Sequence, residues 1–77
     1  MNEKQRKTLQ GYAESLDEIK CAIEEMMDEE TEKFDNMPES LQESERGEAM
    51  QEAIESLESA ASSIEEAIDY LNEITEG

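Results

Sequence analysis

The sequence predicts an all-α protein: an antiparallel two-helix hairpin of the coiled-coil type that pairs with a second copy into a four-helix bundle. Three observations support this prediction. Apolar residues recur at alternating steps of four and three in the second half of the chain, and less regularly in the first half. A Pro-containing segment separates two stretches of about thirty residues each. The 77 residues are read as one domain, near the size at which a single core is barely sufficient without a partner.

The first predicted helix runs from about residue 3 to residue 33. Its apolar rhythm places Tyr12 in the core and Cys21 on the outward face. Continued toward the bend, the same rhythm brings Glu30 and Lys33 into the apolar row, where a charged side chain needs a partner. Met27 and Phe34, one residue further on, suggest that the apolar stripe drifts around the helix there. An ion pair between Glu30 and Arg46 of the second helix would satisfy this need. The predicted apolar row of the first helix is Leu9, Tyr12, Leu16, Ile19, Ile23 and Met26.

Residues 34–44 form the predicted connector between the two helices. An Asp-Asn pair ahead of Pro38 is typical of a turn, and Pro38 suits the start of a short helical piece through Gln42. Ser44 is the expected N-cap of the second helix because its hydroxyl can accept a hydrogen bond from a free backbone N–H group. Gly47, in the first turn of that helix, is expected to be tolerated rather than favoured.

The second predicted helix runs from about residue 45 to residue 74 and has the clearer pattern. Ala53, Ala60 and Ala67 recur every seven residues beside its apolar row, where small side chains let another helix approach closely. The acidic residues point outward or flank the row. The predicted apolar row of this helix is Met50, Ile54, Leu57, Ala61, Ile64, Ile68, Leu71 and Thr75.

Charge is concentrated on part of the chain. Nineteen of the 23 acidic residues follow residue 23, where the only bases are Lys33 and Arg46, and the net charge is −17. This surplus argues against direct binding to nucleic acid or to an anionic membrane, so the expected partner is a basic protein. A single Cys and the lack of a long apolar stretch favour a cytoplasmic protein.

Neither a metal, a cofactor nor a catalytic site is predicted. The acids between Asp28 and Glu39 superficially resemble a calcium-binding EF-hand loop, but Lys33 stands where that loop requires Gly. The chain has no His for a typical zinc site. The acids lack the enclosed cleft that acid–base catalysis needs, and acidic neighbours disfavour the thiolate of Cys21.

The sequence of the connector and the second helix resembles that of a known protein family. The stretch FDNMPESLQESERGEAM, at residues 34–50, is followed by the acidic heptads EAIESLE and EEAIDYLNEI. Together they resemble a family of small acidic helical proteins encoded by phages and prophages of Gram-positive bacteria. The resemblance implies a phage setting and carries no established activity. By analogy of setting and charge, it suggests the inhibitors that imitate DNA, which include anti-restriction and anti-CRISPR proteins.

Two functional hypotheses follow from these observations. The first is a non-enzymatic inhibitor or regulator that binds a basic, nucleic-acid-handling host protein through its carboxylates. These are placed along the helices at a density similar to that of the phosphates along duplex DNA. The second is a self-assembling structural or adaptor module whose acids serve only solubility. The partner-binding residues predicted under the first hypothesis are Glu24, Glu25, Asp28, Glu29, Glu32, Glu48, Glu52, Glu55, Glu66, Asp69 and Glu73.

Overall fold

A computed structural model describes residues 1–76, which form an elongated helical hairpin. It contains α1 (Glu3–Asp35), the single-turn helix α2 (Glu39–Gln42) and α3 (Glu45–Glu76). The two long helices pack side by side along a molecule that measures 58 × 14 × 13 Å. The predicted all-α hairpin is therefore confirmed, and each long helix extends two residues beyond its predicted end.

Helix α1 begins with a complete capping box. The Asn2 side chain accepts a hydrogen bond from the backbone N–H of Gln5 at 2.8 Å, and the Gln5 side chain accepts one from the backbone N–H of Asn2 at 3.2 Å. These two bonds satisfy donors that a helix start otherwise leaves free. At the other end, Gln42 Nε2 donates a 2.8 Å hydrogen bond to the Phe34 carbonyl oxygen, which ties α2 to the last turn of α1.

The start of α3 follows the predicted capping chemistry, with one correction. Ser44 Oγ accepts a hydrogen bond from the backbone N–H of Gly47 at 3.3 Å, as an N-cap does. Gly47 itself is buried, and a Cβ atom added there would lie within 3 Å of the backbone oxygens of Leu41 and Gln42. The expectation that Gly47 is merely tolerated was wrong, because α2 approaches this position too closely for any side chain.

The α3 apolar row faces α1 as predicted. All eight of its residues are buried or half-buried, and Ala61 is only 7% exposed. We assign heptad letters from this row, with Ile54, Ala61 and Ile68 at a, and Leu57 and Ile64 at d. The e and b positions then lie on one side of the helix, the g and c positions on the other, and f at its back.

The inward row of α1 differs by one position from the prediction. Tyr12 is 59% exposed, and Ile19 and Met26 are likewise exposed, so their predicted place in the core was wrong. Ala13, at 6% exposure, faces α3 instead. The buried and half-buried heptad row of α1 is Arg6, Leu9, Ala13, Leu16, Lys20, Ile23, Met27, Glu30 and Phe34.

The residues near the bend give a physical reason why the row that contains Ala13 faces α3. With the predicted row inward, Lys33 would enter the apolar interface, while Met27 and Phe34 would face solvent. The observed row places Met27 and Phe34 toward α3 and leaves the Lys33 side chain 68% exposed. Tyr12, Ile19 and Met26 remain exposed in this arrangement, so the choice of row is decided at the bend and not by the total apolar burial along α1.

Of the three charged residues of the inward row, Lys20 and Glu30 pair along α1 and not across the bend, whereas the Arg6 Nε atom is buried without a hydrogen-bond partner among the described residues. Glu30 forms an ion pair with Lys33 at 3.2 Å, so the predicted pair between Glu30 and Arg46 was wrong. Lys20 lies in the inward row with its side chain 18% exposed and reaches Asp17 at 3.8 Å. Both pairs span one helical turn, and each satisfies the charge locally.

Candidate functional site

The corrected heptad assignment gives the hairpin two unlike flanks. In an antiparallel pair, the e positions of both helices lie on one flank and the g positions on the other. An open groove beside the helix interface shows this arrangement, because Gln10 and Asp17 of α1 line it together with Asn72 of α3. All three residues occupy e positions.

The flank that contains this groove is strongly acidic, and we call it the acidic flank. Apart from Glu24, which is half-buried, its acids are exposed. The side chains belong to the e and b positions along both helices. We restrict the name to residues 14–28 of α1 and 48–69 of α3, where the acidic flank consists of Glu14, Asp17, Glu24 and Asp28 on α1, and Glu48, Glu55, Glu58, Glu65 and Asp69 on α3.

The heptad register sets carboxylates of the two helices opposite each other along this flank. Gln10, Asp17 and Asn72 all line the groove, and if Gln10 is paired with Asn72, the seven-residue repeat places Asp17 opposite Glu65. One more heptad places Glu24 opposite Glu58. Facing pairs of like charge work against hairpin stability, whereas a hairpin arranged for stability alone would place Lys or Arg at one of the two positions. The acidic flank therefore carries negative charge that the hairpin leaves largely uncompensated.

Few cations compensate the acidic flank internally. Within residues 1–76 the ion pairs are Lys20–Asp17 and Lys33–Glu30. Asp17 is thus the one acid of the flank with an ion-pair partner among these residues. Nine carboxylates over about 32 Å of helix give one charge per roughly 3.5 Å, which matches the phosphate spacing of about 3.4 Å along one DNA strand.

The structure divides the predicted partner-binding residues among three surfaces. Five of them, Glu24, Asp28, Glu48, Glu55 and Asp69, lie together on the acidic flank. The f positions at the backs of the helices hold Glu25 and Glu32 on α1 and Glu52, Glu66 and Glu73 on α3. Glu29 occupies a c position on the other side of α1, so it does not join the acidic flank.

Sequence reasoning missed four acids of the flank: Glu14, Asp17, Glu58 and Glu65. The signal for Glu58 and Glu65 was present, because both occupy e positions beside the α3 apolar row. Glu14 and Asp17 were hidden by the one-residue error in the α1 row. Correct placement of Ala13 in that row moves Asp17 to an e position and Glu14 to a b position.

The opposite side of the hairpin has almost no charge, and we call it the uncharged flank. Its g positions are Tyr12, Ile19 and Met26 on α1 and Ala53, Ala60, Ala67 and Ile74 on α3. The neighbouring c positions add Ser and Ala residues together with the exposed Tyr70. Charged side chains appear only at the bend end, at Glu29, Lys33 and Arg46.

Residues 1–76 contain no cluster of three or more Cys, Asp or Glu side chains placed to hold a metal ion. Cys21 is exposed at a b position of α1. Within the same residues, no helix has the length and apolarity required to cross a membrane.

Comparisons with protein-family models, curated proteins and solved structures found no match for this chain. Inferences about its function therefore rest on the arrangement of its own side chains, which give the helical hairpin an acidic flank and an uncharged flank.

Proposed function

We propose that this protein is a non-enzymatic acidic inhibitor or regulator, encoded by a phage or prophage, that acts in the cytoplasm of the host cell. It binds a basic, nucleic-acid-handling host protein by presenting carboxylates in place of phosphates. Two hairpins associate into a four-helix bundle in the active form. The observation that carries the proposal is the set of carboxylates that both helices place on the acidic flank; the heptad register puts Asp17 opposite Glu65 and Glu24 opposite Glu58.

The physical basis is the electrostatic repulsion between these rows of carboxylates in the free protein. Carboxylates that oppose each other across the helix interface repel, and Lys or Arg side chains of a partner would relieve the repulsion when they bind between the rows. A DNA-binding protein already holds such cations in a groove shaped for phosphates. Association through this flank should be fast and strongly dependent on salt.

The proposal is tested by capture from a lysate of a Gram-positive host, followed by competition. The captured protein should bind duplex DNA, and added DNA should displace it from the hairpin. It should also be released at about 0.5 M NaCl, where the Debye length falls to about 4 Å. A partner that stays bound at this salt concentration, or that DNA does not displace, would contradict charge imitation.

Matched charge reversals locate the binding surface on α3. The double variant Glu55→Lys, Glu58→Lys changes the acidic flank, whereas Glu66→Lys, Glu73→Lys changes the back of the same helix by the same net charge. Capture should be lost in the first variant and largely kept in the second. Equal losses in both would indicate that only total charge matters.

A second candidate function is a self-assembling structural or adaptor module, and the uncharged flank favours it. In that case the uncharged flank is the functional surface and the acids maintain solubility. Reversal of Glu55 and Glu58 would then leave the biological activity intact, while changes at Ile19 or Ala60 would abolish it.

A further inference from the structure

The uncharged flank collects the exposed apolar side chains of the long helices. Every large apolar residue that α1 and α3 leave exposed within residues 1–76 lies there: Tyr12, Ile19, Met26, Tyr70 and Ile74. The chain is 38% charged, yet the middle of this flank carries no charge. Contiguous apolar surface of this kind marks a site of protein association.

We propose that a second copy of this chain covers the uncharged flank, with the two bends at the same end of the bundle. The inference deepens the association of two hairpins proposed above by naming its surface and its geometry. It does not depend on the identity of a target protein.

The shape of the flank supports a self-complementary pairing. On α1 the g positions hold the large side chains of Tyr12, Ile19 and Met26, which form a ridge. On α3 the g positions at the same level hold only Ala side chains, which leave a shallow shelf beside that ridge, and the exposed Tyr70 at a c position borders this shelf. A two-fold axis along the hairpin places the ridge of each copy on the shelf of the other, so that Ile19 meets the partner's Ala60.

The exposed area also fits one partner of this size. A folded monomer of 8.8 kDa is expected to expose about 4,800 Å², whereas this hairpin exposes 5813 Å². The excess of roughly 1,000 Å² is close to the roughly 800 Å² that each partner buries in a stable interface. Within residues 1–76, only Ala13 and Ala61 are buried apolar side chains, so one hairpin alone has a thin core.

A second copy fits the lack of charge on this flank. A basic protein would be attracted to the acidic flank instead, and a second copy, although it also carries a net charge of −17, can keep its own acidic flank away from the contact. A second copy presents a surface that is equally free of charge along its middle. Pairing through the uncharged flanks turns both acidic flanks outward on opposite sides of the bundle, where distance and salt reduce their repulsion.

The first test is the molar mass of the purified protein by sedimentation equilibrium. Twice the chain mass is expected at about 50 μM, well above a dissociation constant of about 1 μM. Ile19→Glu should weaken dimerisation by about tenfold or more, because it places a carboxylate without a partner in the apolar interface. Ser59→Glu adds the same charge at the back of α3 and should leave the dimer unchanged.

The second test measures the geometry by disulfide cross-linking in a Cys21→Ser background. Chains carrying Ile19→Cys and chains carrying Ala60→Cys should cross-link when mixed, and neither should cross-link alone. If each variant links to itself, the bends lie at opposite ends and the proposed geometry is wrong.

Two further results would overturn the proposal. One is a monomer at about 50 μM, far above the expected dissociation constant. The other is a dimer that Ile19→Glu leaves as tight as the parent, with helicity by circular dichroism also unchanged. Both measurements use the protein alone, so failure of the dimer is distinguishable from failure of target binding.

Discussion

Gly47, in the first turn of α3, lies directly against the backbone of Gln42. A Cβ atom at residue 47 would come within 3 Å of the Gln42 carbonyl oxygen and of the Leu41 carbonyl oxygen. The contact lets α2 fold over the start of α3 and fixes the path of the chain between the long helices. The position of every residue along the two flanks depends on this path.

Gly47→Ala should therefore destabilise the hairpin although Ala is the better helix former. The added methyl group meets backbone atoms that cannot rotate away, and overpacking of this kind costs about 1–3 kcal/mol. Gly11→Ala is the matched control, since nothing lies within 4 Å of a Cβ atom there. It should stabilise the helix by about 0.5–1 kcal/mol. Urea denaturation of both variants measures the change in the free energy of unfolding. If Gly47→Ala raised this free energy as Gly11→Ala does, the close approach at Gly47 would be contradicted.

Ser44→Ala should remove the N-cap of α3. The Ser44 hydroxyl accepts from the Gly47 N–H group at 3.3 Å, and loss of such a cap costs about 1 kcal/mol. Thermal unfolding should show a melting temperature about 4–8 °C lower for a domain of this size. Ser59→Ala, at an exposed position in the middle of α3, should have no comparable effect. A melting temperature unchanged in Ser44→Ala would show that the cap contributes nothing.

Ala61→Asp should unfold or severely destabilise the hairpin. Ala61 is 7% exposed between the two long helices, and a carboxylate at this position would lose its hydration without gaining a partner. Ser62→Asp adds the same charge one residue later, at an exposed b position, and should keep the helical circular dichroism signal. Similar stability of the two variants would mean that the α3 row does not face α1.

Neutralisation of the facing carboxylates should stabilise the protein at low salt. Glu58→Gln and Glu65→Gln together remove the charges opposite Glu24 and Asp17, so the double variant should melt at a higher temperature than the parent. The difference should shrink as NaCl is added, because salt screens the repulsion. The double variant Glu66→Gln, Glu73→Gln removes the same number of charges at the back of α3 and should give a smaller increase. A double variant that melts at the parent's temperature in low salt would contradict the opposition of the two acidic rows.

The sequence determined the helices, the bend and one side of the interface. Residues 50–75 of α3 follow one row of large apolar side chains, and the adjacent row holds only Ala before Ile74, so the inward face could be read directly. The N-cap at Ser44 and the short helix after Pro38 were also readable, because capping and proline chemistry act over a few residues.

Only the tertiary structure decided which face of α1 points inward, and with it the character of both flanks. Tyr12, Ile19 and Met26 form one apolar row, while Ala13, Met27 and Phe34 belong to an adjacent row rotated by one residue. Periodicity along α1 does not choose between them, since the choice depends on what α3 and the bend present to each side chain. The need for glycine at residue 47 was equally hidden, because it arises from the backbone of α2 and not from any local preference of the helix.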